Sequence, residues 1–259
     1  MARAIFKDWF VDFGPTRAKM EGRTPYLSSD VWALFPASLD DDGKPEGWRL
    51  CALGDLCSRV AIGPFGSDIT TDNYVDAGVP VIRGMNLRAG FHDDNFAFLT
   101  EEKADALKNA NAFPGDVVIT HRGTLGQVGM IPTPSRFQRY VISQSQMLLS
   151  VNHAVATPNY IFEFLRSATG QQRLLANTSQ TGVPAIARPT TSLRSIQIIA
   201  APFAVLEGFE GAIKPLTKTV EANDSQNRTL VATRDLLLPK LMSGEIRIKD
   251  AEKVLEAVL

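Results

Sequence analysis

The chain has 259 residues, of which 44% are hydrophobic, and a formal net charge of −1. This size and composition allow a substantial core, in one large domain or two small ones. It contains no run of eighteen apolar residues, and Met1-Ala2-Arg3 is not followed by the apolar core and small-residue cleavage site of a secretory signal. We therefore expect a soluble, cytoplasmic protein with no membrane association.

The sequence also lacks the residue patterns of a metal or catalytic site. Its two cysteines, Cys51 and Cys57, are too few for a disulfide framework and lack zinc-site spacing. His92, His121 and His153 are scattered. A Walker-type phosphate loop, the Asn/Asp-Pro-Pro-Tyr/Phe segment of DNA-adenine methyltransferases and a nuclease carboxylate-lysine cluster are missing from the sequence. We predict a protein that is not an enzyme and uses neither a metal nor a cofactor.

Charge is unevenly distributed along the chain. Residues 49–116 carry six Lys/Arg and ten Asp/Glu, a net −4, whereas residues 117–202 carry seven Arg and one acid, Glu163, a net +6. A phosphate backbone responds to charge within about 8–10 Å, so this local excess matters more than the total. Arginine can also form two parallel hydrogen bonds with guanine or phosphate. The pattern indicates a nucleic-acid-binding face, with an ordinary solvated basic face as the alternative.

The first 47 residues predict a short helix and a connector. Ile5, Trp9 and Phe13 are spaced by four, which is typical of an amphipathic helix. We expect Gly14-Pro15 to end it, and the proline-rich stretch up to Gly47 to be an extended connector.

Residues 48–202 predict a mixed α/β domain with short strands. The turn-rich loop 63–67 and the loop 121–126 contain glycines that permit tight backbone geometry. The predicted strands lie at 80–84, 116–120, 128–131, 141–151 and 196–199, and the predicted helices at 101–109 and 160–175.

Residues 203–246 predict a long coiled-coil helix that ends at Gly244, followed by a tail at 247–259. From 206 to 241 it would run about 54 Å, so it needs a long partner. Its heptad stripe, interrupted by Arg234, gives the predicted dimerisation residues: Leu206, Phe209, Ile213, Leu216, Val220, Asn223, Asn227, Leu230, Leu237 and Leu241. Pro215 should kink this helix or lie in its first turn. The alternative is a helix packed on its own domain.

Several segments, in order, resemble the specificity subunits of type I restriction-modification systems. They are Trp48 with Leu53-Gly54-Asp55, a Gly-Val-Pro-Val-Ile-Arg run (78–83), Pro-Gly-Asp-Val-Val (114–118), Gly-Thr-Leu-Gly (123–126), Thr-Gly-Val-Pro-Ala-Ile (181–186) and Leu-Met-Ser-Gly-Glu-Ile (241–246). The opening residues 6–13 resemble the end of the helix that joins two recognition domains in a full-length subunit.

The resemblance implies a half-size subunit, because a full one has two target-recognition domains and two long helices. The stripe from Leu206 would then pair antiparallel with a second chain, most simply in a two-fold homodimer that holds two recognition domains apart over a bipartite site. The implied partners are double-stranded DNA, the modification (methyltransferase) subunits and, through them, the restriction subunit.

Donors and acceptors on loops are the usual readers of base edges in the major groove. The predicted DNA-binding residues are Ser67, Arg83, Asn86, Arg122, Thr124, Arg136, Arg139, Gln144, Gln146, Gln180 and Arg188. Two other readings stay open. One is the recognition part of a self-sufficient methyltransferase or nuclease, and the other is a coiled-coil scaffold that binds protein.

Overall fold

The computed structural model describes residues 1–179 and 182–247, and the chain divides into two compact units, Met1–Glu210 and Gly211–Leu259. The α-helices are α1 (Ala2–Phe10), α2 (Gly14–Met20), α3 (Ser29–Ala33), α4 (Glu101–Ala106), α5 (Pro158–Arg166), α6 (Ala168–Leu175), α7 (Pro189–Arg194) and α8 (Phe203–Met242). The strands are β1 (Arg49–Ala52), β2 (Cys57–Ile62), β3 (Tyr74–Val75), β4 (Val79–Ile82), β5 (Ala97–Leu99), β6 (Asn111–Ala112), β7 (Val117–Thr120), β8 (Val128–Met130), β9 (Tyr140–Ile142), β10 (Gln146–Val151), β11 (Thr178–Ser179), β12 (Ala185–Ile186) and β13 (Gln197–Ala200). The predicted mixture of helices and short strands is confirmed.

Two sheets form the centre of the first unit. A four-stranded antiparallel sheet has the order β2-β10-β7-β8, and a five-stranded sheet has the order β3-β5-β4-β9-β6, in which β4 and β9 are parallel. Val118 of β7 and Leu148 of β10 are fully buried in the same hydrophobic cluster as the strands of the second sheet. The two sheets therefore share one core. Two smaller antiparallel pairs are formed by β1 with β13 and by β11 with β12.

An aromatic cluster joins the N-terminal helix to the beginning of α8. Phe6, Trp9 and Phe10 lie on one face of α1 and are buried. Phe209, with no exposed surface, packs its ring against all three, with centroid separations of 6.1, 6.0 and 5.3 Å. Leu206, one turn earlier, is also buried. These two stripe residues were expected to face a second chain, but their own chain already covers them.

The segment after α1 differs from the prediction. The helix ends at Phe10, and Gly14-Pro15 begins α2 instead of ending α1. Pro15 is compatible with this position because the first turn of a helix has no intrahelical partner for its backbone N–H groups. The expected connector also contains α3, so it is less extended than its proline content indicated.

The predicted helix 160–175 is two helices, because Ser167 interrupts it. Ser167 has an extended backbone (ψ 161°), and its Oγ accepts a hydrogen bond from the Gly170 N–H at 3.0 Å while donating to the Phe164 carbonyl at 2.7 Å. One side chain thus caps the end of α5 and the start of α6. Serine competes with the backbone for hydrogen bonds in this way, and helical periodicity does not reveal it.

The predicted strand 141–151 is also divided, into β9 and β10. Its polar centre, Ser143 to Ser145, forms a turn in which the Gln146 N–H donates to the Ser143 carbonyl at 3.0 Å. β9 belongs to the five-stranded sheet and β10 to the four-stranded sheet, so this turn carries the chain from one sheet to the other.

The long helix α8 contains Pro215 well inside it, so the alternative that placed this proline in the first turn is wrong. Pro215 has no N–H to donate to the carbonyl four residues earlier.

In the second unit, Ile213 and Leu237 of the stripe are buried, whereas Val220 is 57% exposed. Asn223 and Asn227 are exposed, and Leu216, Leu230 and Leu241 are half-buried. Leu236 and Leu238, beside the stripe, are also exposed. Among the described helices, none is long and apolar enough to cross a membrane.

Candidate nucleic-acid interface

Four strand ends meet where the two sheets are joined. In the four-stranded sheet, Gln146 at the start of β10 pairs with Thr120 at the end of β7, and Met147 pairs with Ile62 at the end of β2. In the other sheet, β4 and β9 are parallel and end together, and the Ser143 N–H donates to the Ile82 carbonyl at 3.0 Å. The loops that follow β2, β4, β7 and β9 therefore converge.

These loops enclose a cleft of about 340 Å³. Its walls come from the loop after β2, the beginning of the turn after β4, the loop between β7 and β8, and the turn between β9 and β10. The lining residues are Pro64, Phe65, Gly66, Ile69, Tyr74, Arg83, Gly84, Thr120, Arg122, Thr124, Gln127, Ser143, Gln144, Ser145 and Gln146. Two of them are arginines and none is a carboxylate, so the cleft is positively charged and rich in hydrogen-bonding groups.

The structure brings five of the predicted residues together in this cleft: Arg83, Arg122, Thr124, Gln144 and Gln146. Arg122, Thr124 and Gln144 are exposed, and Arg83 is half-buried with one guanidinium N–H donating to the Asn95 carbonyl at 2.9 Å. Gln146 is fully buried, and its amide bonds to Ser143 and Thr120. Gln146 therefore shapes the floor of the cleft, while the other four present their side chains at its surface.

The other predicted residues that the structure describes lie outside the lining of the cleft. Asn86 is 1% exposed, and its amide accepts from the Arg83 N–H and donates to the Asp94 carbonyl. Arg139 forms ion pairs with Glu101 and Asp105 of α4. Arg136 lies over the ring of Phe137, 5.0 Å from its centroid.

Three predicted residues remain. Ser67 is exposed on the loop after β2, next to Gly66 of the lining. Arg188 is exposed before the first residue of α7, with a left-handed backbone (φ 45°). Gln180 lies outside the described residues. The DNA-binding role of each of the eleven stays a prediction.

The loop after β2 is held close to the turn between the sheets. A Cβ at Gly63 would lie 2.0 Å from the Ser143 carbonyl oxygen, so only glycine allows this approach. The Asp68 carboxylate also accepts a hydrogen bond from the Phe65 N–H at 3.0 Å. This loop presents Phe65, which is 85% exposed, at the cleft. Sequence reasoning missed Phe65, and its position between Pro64 and Gly66 in a turn was the available signal.

His121 connects three of the segments around the cleft. Its Nε2 lies 3.2 Å from the Gln144 carbonyl oxygen, its backbone N–H donates to the Ser145 carbonyl, and its own carbonyl accepts from the Ile186 N–H, both at 2.9 Å. The neighbouring loop is fixed as well, because the Gly123 N–H donates to the Pro184 carbonyl at 2.9 Å. Burial lowers the pKa of His121, and the nearby Arg122 lowers it further.

We expect His121→Gln to remove a pH-dependent part of the stability. A buried histidine with a lowered pKa is neutral in the folded protein, so the unfolded chain binds protons more readily below pH about 6.5. The contribution of His121 to the free energy of unfolding of the wild type is therefore fully present above that pH. It declines as the pH falls from there towards the pKa of His121 in the folded protein. The difference in free energy of unfolding between wild type and His121→Gln should therefore narrow from pH 7.5 to pH 5.5 in urea titrations.

The exposed His153 supplies a matched control, His153→Gln. If the difference in free energy of unfolding between wild type and His121→Gln stays constant across this pH range, His121 is not a buried neutral residue with a lowered pKa, and the prediction is wrong.

Comparison with known proteins agrees with the resemblance seen in the sequence. The type I restriction enzyme HindI specificity subunit of Haemophilus influenzae is 24% identical over 296 residues, covering 95% of this chain and 61% of that protein. The chain is similar to type I specificity subunits. A second relative, the MjaIX specificity subunit of Methanocaldococcus jannaschii, is 22% identical over 255 residues, covering 96% of this chain and 53% of that protein. No family model matches the chain.

The fold has a counterpart among solved structures. The crystal structure of a type I restriction-modification S subunit from M. genitalium matches with a TM-score of 0.52 at 13% identity, covering 76% of this chain and 46% of that one. This match supports the mixed helix-and-strand fold. The chain spans about half of the length of that structure and between half and two thirds of the two curated specificity subunits.

Proposed function

We propose that the chain is a non-catalytic DNA-recognition subunit of a type I restriction-modification system. The observation that carries the proposal is the convergence of Arg83, Arg122, Thr124 and Gln144, from three loops, in one cleft whose described lining residues include no carboxylate. Arginine and glutamine are the side chains that bind guanine and adenine edges through two hydrogen bonds. The similarity to the HindI and MjaIX specificity subunits supports the same role.

The loops around this cleft are suited to selective binding because they are fixed before DNA arrives. Hydrogen bonds of His121 and Gly123 connect the loop after β7 to the segments at 145 and 184–186, and Gly63 holds the loop after β2 against the turn at Ser143. Binding groups that are already ordered lose less conformational entropy on association. A larger share of the binding free energy then depends on how well each base pair matches the side chains of the cleft.

The proposal includes assembly into a pair of recognition units. Two chains would associate through the part of α8 that belongs to the second unit, where Val220 is exposed and Leu216, Leu230 and Leu241 are half-buried. An antiparallel homodimer of this kind would place two clefts on two half-sites with an unread spacer between them. Leu206 and Phe209 would support α8 from within the chain. Light scattering at micromolar concentration tests this arrangement, and a monomer would contradict it.

Modification subunits, and through them the restriction subunit, would act at the site that this chain selects. Adding the purified chain to cognate modification subunits should direct methylation to one bipartite sequence. The chain alone should transfer no methyl group from a methyl donor, which separates this function from that of a self-sufficient methyltransferase.

The decisive test is selection from a pool of random duplexes followed by binding measurements at several salt concentrations. We expect one motif to be enriched, and its affinity to fall steeply with salt because each phosphate contact contributes about −0.9 to the slope of log K against log salt. Equal affinity for all duplexes would contradict sequence recognition. Absence of any salt-dependent DNA binding would favour the protein scaffold.

A further inference from the structure

A second cavity adjoins the cleft that the loops after β2, β4, β7 and β9 enclose. It has a volume of about 290 Å³ and shares Gln127 with the first cavity. The Gln127 Oε1 accepts a hydrogen bond from Thr120 at 3.0 Å, so this side chain separates the two spaces from a fixed position. The remaining lining residues are Arg3, Leu87, Ala89, Gly90, Leu125, Gly126, Val128, Arg166 and Gln171.

Two arginines from different helices provide the charge of this cavity. Arg3 belongs to α1 and is exposed, whereas Arg166 ends α5 and is half-buried. Of the lining residues, these are the two that carry charge. The Gln171 amide is already used, because its Nε2 donates to the Gly126 and Leu165 carbonyls at 3.1 and 2.7 Å. The donors available to a ligand are therefore mainly the guanidinium groups.

The nearby acid does not neutralise both arginines. Glu163 lies 3.7 Å from Arg166 and is buried, outside the lining of the cavity. Arg3 and Arg166 line the same cavity, so their positive charges repel each other. Burial lowers the pKa of Arg166, Glu163 raises it, and Arg3 lowers it further. In the part of the chain that the structure describes, the two arginines thus share the carboxylate of Glu163, which leaves an excess of positive charge beside an open cavity. An anion would relieve this repulsion.

We infer that this second cavity binds a phosphate of the DNA backbone beside the base pairs read in the first cleft. The inference rests on the proposed function and assigns Arg3 and Arg166 to it, neither of which lies in the reading cleft. Contacts to phosphate fix the register of a protein on the duplex without reading its sequence. The N-terminal helix would then take part in DNA binding together with the β-strand loops.

Substitution of Arg3 gives a clean test because this residue is exposed and the aromatic face of α1 does not depend on it. Removing one phosphate contact should lower the magnitude of the slope of log K against log salt by about 0.9. The ratio of wild-type to variant affinity should therefore be about eight times larger at 0.1 M salt than at 1 M salt. We expect Arg3→Ala to weaken binding to the selected duplex and to random duplexes equally. Arg3→Glu should weaken both more.

The matched control is Arg23→Ala, because Arg23 is exposed and lines neither cavity. Binding is measured by fluorescence anisotropy at five salt concentrations with the 259-residue chain. An Arg3→Ala variant with unchanged affinity and slope, or with altered base preference, would overturn the inference while leaving DNA recognition intact. If the wild type binds no duplex at all, the proposed function itself fails.

The double variant Arg3→Ala with Arg166→Gln should lower the magnitude of the slope of log K against log salt again, and thermal unfolding checks that this variant remains folded.

Discussion

Replacing Phe209 with alanine is expected to lower the free energy of unfolding by about 3–5 kcal/mol, the range for large aromatic truncations in a core. Phe209 is fully buried and packs against Phe6, Trp9 and Phe10, so the substitution removes three ring contacts and leaves a cavity between α1 and the first turns of α8. The rings are too rigid to fill that space by changing rotamers alone. Urea unfolding followed by tryptophan fluorescence measures the loss, since Trp9 lies in the same cluster.

The chain offers a matched control for this prediction. Phe65 has the same side chain but is 85% exposed, so Phe65→Ala should change stability by less than about 0.5 kcal/mol. A similarly small effect of Phe209→Ala would mean that α1 does not pack on α8. In that case Leu206 and Phe209 would be available to a second chain, as the heptad pattern alone indicated.

The second large effect is expected at Arg122. Arg122→Ala should weaken binding to the selected duplex by about 1–3 kcal/mol and relax the preference for one base pair if Arg122 binds a guanine edge through two hydrogen bonds. Arg122 is exposed at the mouth of the cleft, on a loop fixed by the hydrogen bond from Gly123 to Pro184. Competition with duplexes altered at each position of the motif measures both quantities.

Arg136→Ala is the comparison for Arg122→Ala, because Arg136 is exposed and lies over Phe137 outside the cleft. A uniform loss of affinity for all duplexes would assign Arg122 to a phosphate, as proposed for Arg3. Unchanged binding would remove Arg122 from the reading residues. A larger loss for Arg136→Ala than for Arg122→Ala would place the interface elsewhere on the domain.

Some of these residues depend on one another. His121 holds the carbonyl of Gln144 and precedes Arg122, so substitution of His121 should alter DNA binding through the position of both side chains. Single substitutions in this group will therefore not add, because residues that share contacts are coupled. Double-variant cycles between positions 121 and 144 would measure that coupling.

Local patterns determined much of the fold. The apolar runs at 79–82, 117–120 and 128–130 are strands close to their predicted limits, because short apolar runs rich in β-branched residues favour a buried strand over a few neighbouring positions. The long helix follows from its heptad stripe and its stop at Gly244. The arginine-rich block and the glycine-flanked loop also identified Arg122, Thr124 and Gln144, which share one cleft.

Only the tertiary structure decided which of these residues act together. Ser143 to Ser145 lies between two apolar runs that together predict one strand, yet it turns because β9 and β10 belong to different sheets. Asn86 and Gln146 look like available polar residues, yet both are buried as hydrogen-bond partners of the backbone and of neighbouring side chains. Phe209 fits a heptad seam, yet α1 covers it. Sequence periodicity shows that a face is apolar, but the element that buries it lies distant in the chain and is specified by packing.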